Sequence, residues 1–240
     1  YSFNLVPTAN GPFSAVVEDG VFADAAGNTN TASNVISRNY DGDAPTVELS
    51  SSSANLVKGP IIAAVQLSES VTTFNDTMIS PANASVSGFS GSGMNYTFTL
   101  TPISNGQFSA VVNGGVFQDS AGNGNIASNT LLRTYDGTVP TIQTRTPAAS
   151  AIVSSLPSVA ITFTETVTGV DPGDVTVNGS PATAISGNNE GPYTFTGFAA
   201  PSDGTATVLV APGGIQDMAG NGFAGDTWIY TVDSLLPTVQ

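Results

Sequence analysis

The strongest signal along the chain is alternation with a period of two. Met94, Tyr96, Phe98 and Leu100 are apolar, and Asn95, Thr97, Thr99 and Thr101 between them are polar. Successive side chains of a strand point to opposite faces, so this segment predicts a strand with one face in a core and a Thr-rich face in water. Ile61, Ala63, Val65 and Leu67 follow the same pattern, with Ile62 and Ala64 making that strand nearly apolar throughout. Phe108, Ala110 and Val112 predict a third inward set. Asn105-Gly106 stands between two such strands and predicts a hairpin, as does Asn10-Gly11. Turn residues recur roughly every 8–12 positions and no helical period is present, which predicts an all-β chain of antiparallel β-sandwiches with about seven strands each.

A repeat organises these strands. Residues 1–47 align without a gap onto 96–142, with 28 of the 47 positions identical. Phe13 to Val17 recurs as Phe108 to Val112, and Asp24, Gly27, Asn28 and Asn30 recur as Asp119, Gly122, Asn123 and Asn125. Tyr40-Asp41-Gly42 recurs as Tyr135-Asp136-Gly137. A more diverged copy follows, with Tyr193 to Thr196 matching Tyr96 to Thr99 and Asp217-Met218-Ala219-Gly220-Asn221 matching the loop from Asp119 to Asn123. A unit of about 95 residues is too long for a solenoid repeat and suits an independent sandwich. The Asp-Gly-x-x-Pro-Thr segment is the natural boundary, because Pro and Gly interrupt strand pairing. The expected organisation is the back half of a repeat over 1–41, complete repeats over 44–136 and 139–233, and the start of another over 234–240.

Leu67-Ser68-Glu69-x-Val71-Thr72, Tyr96-Thr97-Phe98-Thr99-Leu100, Val116-Phe117-x-Asp119-x-Ala121-Gly122-Asn123 and Tyr135-Asp136-x-x-x-Pro140-Thr141 together resemble the bacterial Ig-like tandem repeats of large surface and secreted adhesins. The resemblance runs over essentially the whole chain. It implies an extracellular protein, at the bacterial cell surface or secreted, whose partners are neighbouring repeats of the same longer chain. The diverged copy departs from the pattern, with Tyr230 where Arg133 stood and Val232 where Tyr135 stood.

Composition narrows the chemistry. Four Lys and Arg face eighteen Asp and Glu, a formal charge of −14, and His and Cys are absent. Without them there is no Ser-His-Asp or Cys-His catalysis, no zinc knuckle and no disulfide. So few cations exclude a nucleic-acid binder that works by neutralising phosphates, and no apolar run is long enough to insert in a membrane. The acids recur in every copy at strand turns, a placement that points away from an enzyme.

The acids are concentrated. Nine of the eighteen, Asp24, Asp41, Asp43, Glu69, Asp119, Asp136, Glu165, Asp217 and Asp233, lie in the repeated motifs or junctions. Each unit has a Glu after an early strand (Glu69, Glu165), an Asp-x-Ala-Gly-Asn loop (Asp24/Asn28, Asp119/Asn123, Asp217/Asn221) and a junction Asp (Asp41, Asp136, Asp233). Carboxylate, amide and carbonyl oxygens suit Ca²⁺, and three acids converging at one pole of a sandwich would repel without a cation. The resemblance points the same way, since tandem extracellular Ig-like repeats of several families hold Ca²⁺ at junctions. The spacing is not that of an EF-hand. The competing reading is a turn alone, in which Asp and Asn bond their own backbone and Gly supplies positive φ. Asn30 and Asn125 either add a ligand or cap the loop.

Arg38 and Arg133 read as cross-strand contacts, and the single Trp228 reads as a core residue sooner than a sugar platform. The expected function is a structural stalk or shaft. Two alternatives stand beside it. One is a self-assembling surface filament or sheath subunit, completed by an identical neighbouring chain. The other is a glycan- or protein-binding module.

Overall fold

A computed structural model describes residues 2–239, so Tyr1 and Gln240, the ends of the two predicted terminal segments, lie outside the described residues. The fold is nearly all β, with two single-turn 3₁₀ helices at Asp76–Met78 and Pro172–Asp174. By compactness the chain forms two units. One comprises Tyr1–Ser52, Ile61–Thr101 and Ser109–Leu131, and the other Ser53–Pro60, Pro102–Phe108 and Leu132–Gln240.

The N-terminal segment carries β1 (Gly11–Ala15) and β2 (Ile36–Tyr40), paired antiparallel as a two-stranded sheet. The next repeat carries β3 (Val47–Ser50), β4 (Leu56–Val57), β5 (Ile61–Leu67), β6 (Ile79–Ala82), β7 (Ala84–Ser92), β8 (Asn95–Pro102), β9 (Gly106–Val112) and β10 (Leu131–Tyr135). They lie in two four-stranded sheets, ordered β3-β5-β8-β7 and β4-β10-β9-β6. The last repeat carries β11 (Ile142–Thr146), β12 (Ile152–Val153), β13 (Ser158–Phe163), β14 (Val167–Thr168), β15 (Val175–Val177), β16 (Ser180–Pro181), β17 (Ala184–Ser186), β18 (Tyr193–Thr196), β19 (Gly204–Val210), β20 (Gln216–Asp217) and β21 (Asp226–Val232). Its main sheets run β11-β13-β18-β17 and β12-β21-β19-β15-β16, and β14 pairs with β20. Each repeat is thus a β-sandwich.

Alternation becomes burial as expected. Tyr96, Phe98 and Leu100 are buried, as are Ile61, Ala63, Val65 and Leu67, and Phe108, Ala110 and Val112. In the last repeat Ile161, Phe163, Phe195, Val208 and Tyr230 occupy the same kind of inward position. Phe163 meets Tyr193 and Phe223 edge-on, at 6.0 and 5.5 Å between ring centroids, a geometry favoured by the ring quadrupoles.

Ile62 and Ala64 face outward, so β5 buries only the side formed by Ile61, Ala63, Val65 and Leu67, as the alternation predicts. Two local expectations are corrected. Met94 is exposed and precedes β8, because the turn into that strand takes it out of the alternation. Asn105-Gly106 is not a hairpin within one sheet. It links β8 to β9, which belong to different sheets, and Gly106 opens β9 at φ +112°. The Asn105 side chain is engaged elsewhere, accepting from Gly137 N at 2.9 Å and donating to Thr138 Oγ1 at 2.6 Å. Asn10 accepts from Gly42 N in the same way, at 2.8 Å, where Gly11 opens β1.

Strand β4 runs parallel to β10, and β12 runs parallel to β21, while the other registered pairs are antiparallel. The parallel pairs join the strand region entering each repeat to the strand leaving it.

Candidate functional site

The Asp-x-Ala-Gly-Asn loop shares one bonding pattern in all three places, in which the Asp carboxylate accepts from the Asn backbone N–H and side-chain amide. Asp119 N donates to Asn123 O at 3.1 Å, and Asp119 Oδ1 accepts from the backbone N–H of Ala121 and of Asn123, both at 2.8 Å. Asp119 Oδ2 accepts from Asn123 Nδ2 at 2.7 Å. Gly122 holds φ +93°, a conformation glycine adopts without strain. In the last repeat Asp217 accepts from Asn221 N and Nδ2, each at 2.7 Å. In the N-terminal segment Asp24 accepts from Asn28 N and Nδ2, each at 3.0 Å.

The Asn of the loop also reaches the junction. Asn123 Nδ2 donates to Asp41 O at 3.1 Å, and Asn221 Nδ2 donates to Asp136 O at 2.8 Å. The residue beside the Glu holds the same segment, since Thr46 N donates to Ser68 Oγ at 2.9 Å and Thr141 N donates to Thr164 Oγ1 at 3.0 Å. In the last repeat, pairing of β14 with β20 sets Val167 opposite Asp217, just beyond Glu165.

These contacts gather two acidic triads. Carboxylate oxygens of Asp41, Glu69 and Asp119 lie within 4.8 Å of one another, and so do those of Asp136, Glu165 and Asp217. Asp217 is only 2% exposed. Desolvation, then the charges of Asp119, Asp41 and Asp43, raise the pKa of Glu69. Desolvation, then Asp217 and Asp136, raise that of Glu165. Asp119 moves the opposite way, its carboxylate held below the usual range chiefly by the Asn123 side-chain amide. Asn28 does the same for Asp24. In both triads burial first, and the neighbouring carboxylates second, disfavour the charged form of the Glu, while the Asn123 amide stabilises Asp119 as an anion. Such a pocket of hard oxygens offers a site to a hard divalent cation.

Other candidates are placed differently. Asp24 and Asn28 form their loop away from any triad found among the described residues, and so does Asp233, whose Oδ1 accepts from Leu235 N at 3.1 Å. Asn123 and Asn221 orient the carboxylates by donating to them. Asn125 is buried as a brace, accepting from Phe117 N at 3.1 Å and donating to Asn113 O at 2.8 Å. Arg133 donates to the carbonyls of Ser53 and Leu132. Trp228 is buried, with the Arg145 guanidinium 4.9 Å from its ring centroid.

Sequence reasoning missed two devices. The first is the clip made by Asn10, Asn105 and Asp203, each accepting from the backbone N–H just after the junction Asp, at Gly42, Gly137 and Ser234. Its signal was an Asx residue recurring immediately before a strand-opening Gly. The second ties the first strand of a repeat to the last. Asn129 accepts from Leu49 N at 2.8 Å and donates to Leu49 O at 2.9 Å. In the last repeat an Arg145–Asp226 ion pair takes this role.

The junction glycine has a local cause. A Cβ on Gly42 would lie 2.8 Å from Tyr40 Oη, and one on Gly137 would collide with the Tyr135 ring. Where Tyr gives way to Val232, Gly gives way to Ser234. Gly137→Ala is expected to displace the Tyr135 ring at a cost under about 1 kcal/mol, because the ring end is free to swing. The cost should vanish in a Tyr135→Val background. A urea double-mutant cycle checks this, and additive effects would refute the contact.

The family model described as a bacterial Ig-like domain matches the chain twice, over residues 41–135 and 136–232. No curated protein is matched by it. Domains of this kind are in general non-catalytic and structural, and they typically occur in surface proteins. Among the described residues no helix is long and apolar enough to cross a membrane.

Proposed function

Because this chain belongs to the bacterial Ig-like domain family, with two copies in tandem, we propose that it is a load-bearing shaft segment of an extracellular repeat protein of the adhesin type. The observation that supports this most is the parallel pairing of β4 with β10 and of β12 with β21. Tension on a repeat pulls its entering strand toward its own start and its leaving strand toward its own end. For parallel neighbours these directions are opposed along one axis, so the ladder is loaded in shear and its bonds share the force. Thr134 N to Asn55 O and Asp136 N to Val57 O, at 2.8 and 3.0 Å, are such bonds in one repeat. Thr231 N to Ala151 O and Asp233 N to Val153 O, at 3.0 and 2.9 Å, match them in the other.

Ca²⁺ belongs to the same proposal. The carboxylates of Asp41, Glu69 and Asp119, and of Asp136, Glu165 and Asp217, would hold it, with Asn123 and Asn221 orienting them. The cation would neutralise a repulsive cluster and stiffen the junction segment, and it takes no part in a reaction.

Pulling single molecules by their ends tests the mechanical reading. Val57→Pro and Val153→Pro each put a residue without an N–H into a two-residue ladder. Unfolding under load should become at least about tenfold faster for the altered repeat, since forced unfolding follows the unfolding rate. Unchanged unfolding forces in both variants would sink the load-bearing reading.

A further inference from the structure

The outer face of the sheet β12-β21-β19-β15-β16 carries three exposed aliphatic side chains. Ile152, Ile229 and Leu209 are 75%, 47% and 45% exposed. Strand register sets them on one line. Ile152 lies opposite Thr231, Ile229 opposite Thr207, and Leu209 opposite Thr227. Each step moves one strand across the sheet and two residues along β21, from 231 through 229 to 227, so the stripe runs diagonally. Thr205, Thr207, Thr227, Thr231 and Thr176 flank it in the same registers.

Single exposed aliphatic residues are ordinary on a protein surface. Recurrence separates this stripe from scatter. In the first complete repeat Leu56 lies opposite Thr134, as Ile152 lies opposite Thr231. Leu132 of β10 and Val111 of β9 hold the positions of Ile229 and Leu209. None of the three is the same residue in both repeats, yet each is aliphatic. The flanking Thr205 and Thr207 change to Gln107 and Ser109 and stay polar. Leu132 is exposed, and Leu56 and Val111 are half-buried. The N-terminal segment departs from the pattern, with Ser37 at the position of Leu132.

The chemistry of the face selects its occupant. Among the described residues no charged side chain stands at the outward positions of β12, β21, β19 and β15, and the acids of this repeat lie in loops and at strand ends. Trp228 and Tyr230 of β21 are buried on the other side, so the face offers no ring for a sugar to stack on. It offers no cation to a phosphate either. Two copies of a chain with a formal charge of −14 repel. That repulsion is weakest where the surface is uncharged, and there the burial of apolar area is gained. A straight stripe is also self-complementary. A two-fold axis in the sheet plane along the stripe lays each side chain on its own copy, and one across it through Ile229 lays Ile152 on Leu209.

We propose that this face is a homotypic docking surface, on which a second copy of the chain packs sheet to sheet with Ile229 at the two-fold axis. The contact is lateral and weak, and it tightens as salt screens the charge of the two copies. This inference rests on neither the load-bearing nor the cation reading, so the outcome of the pulling experiment leaves it standing.

Sedimentation velocity tests it on the full chain. From about 10 µM to about 1 mM protein a monomer–dimer equilibrium is expected, tighter by about tenfold in 1 M than in 0.1 M NaCl, as the Debye length falls from about 10 Å to about 3 Å. Ile229→Glu opposes two carboxylates at the axis and should leave a monomer. Ile229→Thr matches its neighbours and should weaken association by about tenfold at an unchanged melting temperature, because it removes apolar area from the contact alone. The chain has no Cys, so Ile229→Cys gives each copy one thiol. With an added oxidant it should crosslink two copies far faster than Ala184→Cys, which is exposed on the edge strand β17 of the opposite sheet. A parent that stays monomeric at about 1 mM in both salts overturns the second copy as occupant. A dimer that survives both Ile229 variants, or that crosslinks Ala184→Cys as readily as Ile229→Cys, overturns this face.

Discussion

Asp217→Ala should lower the stability of the repeat spanning 136–232 by about 1–3 kcal/mol in cation-free buffer, read as a lower urea midpoint. Asp217 is 2% exposed and is the acceptor for both Asn221 N and Asn221 Nδ2. Without the carboxylate, a partly buried amide loses its partner, and Asn221 loses the contact that aims it at the Asp136 carbonyl. The whole desolvation penalty then falls on donors that water reaches poorly. Asp217→Asn keeps the shape and removes the charge, so it should recover part of the stability and none of the Ca²⁺ response of its own triad, leaving that of Asp41, Glu69 and Asp119. If Asp217→Ala melts like the parent and gains as much from Ca²⁺ as the parent does, neither the loop brace nor the cation site is as proposed.

The second large effect is a reversal of sign at Glu165. Desolvation, Asp217 and Asp136 raise the folded-state pKa of Glu165 above its unfolded value. The folded protein therefore binds this proton more tightly than the unfolded chain does. The associated stability is fully present below the unfolded pKa and is lost as pH rises through the folded one. At neutral pH without a cation, Glu165→Gln should raise the melting temperature. The gain should shrink as pH falls through the raised folded-state pKa and be gone below the unfolded one, where the parent Glu is itself protonated. With Ca²⁺ the order should reverse. A cation that binds only the folded state adds about 2.7 kcal/mol per site at a hundredfold excess over its Kd. The parent should gain at its intact sites, and Glu165→Gln should lose the contribution of one. Melting curves in chelator and in millimolar Ca²⁺, at several pH values, read both halves. Parent curves that coincide with and without Ca²⁺, together with no heat of binding in calorimetry, would eliminate the cation.

Much of the strand pattern was legible because burial on one face of a strand imposes a period of two. Tyr96, Phe98 and Leu100 needed nothing beyond their spacing. Met94 failed because alternation says nothing about where a turn ends. The Asn105-Gly106 pair failed for another reason. A turn dipeptide marks a change of direction but not whether the next strand joins the same sheet, and the Asn105 side chain was needed by Gly137 N. At the acidic sites, the recurrence of Asp119, Asp217 and Asp24 in one loop motif was visible as repetition. That Asp41 and Asp136 meet their triads while Asp24 and Asp233 stand apart depends on which neighbouring segments surround them.

By itself the sequence determined the repeat, its all-β character, the absence of His and Cys chemistry, and the concentration of charge at loops and junctions. Those follow from composition and local periodicity, which a chain carries before it folds. The tertiary structure alone decided the rest. It set three carboxylates within 4.8 Å from elements far apart in sequence. It also paired entering and leaving strands in parallel. The physical reason is that both arrangements bring together residues distant along the chain, and their proximity is a property of the assembled sandwich.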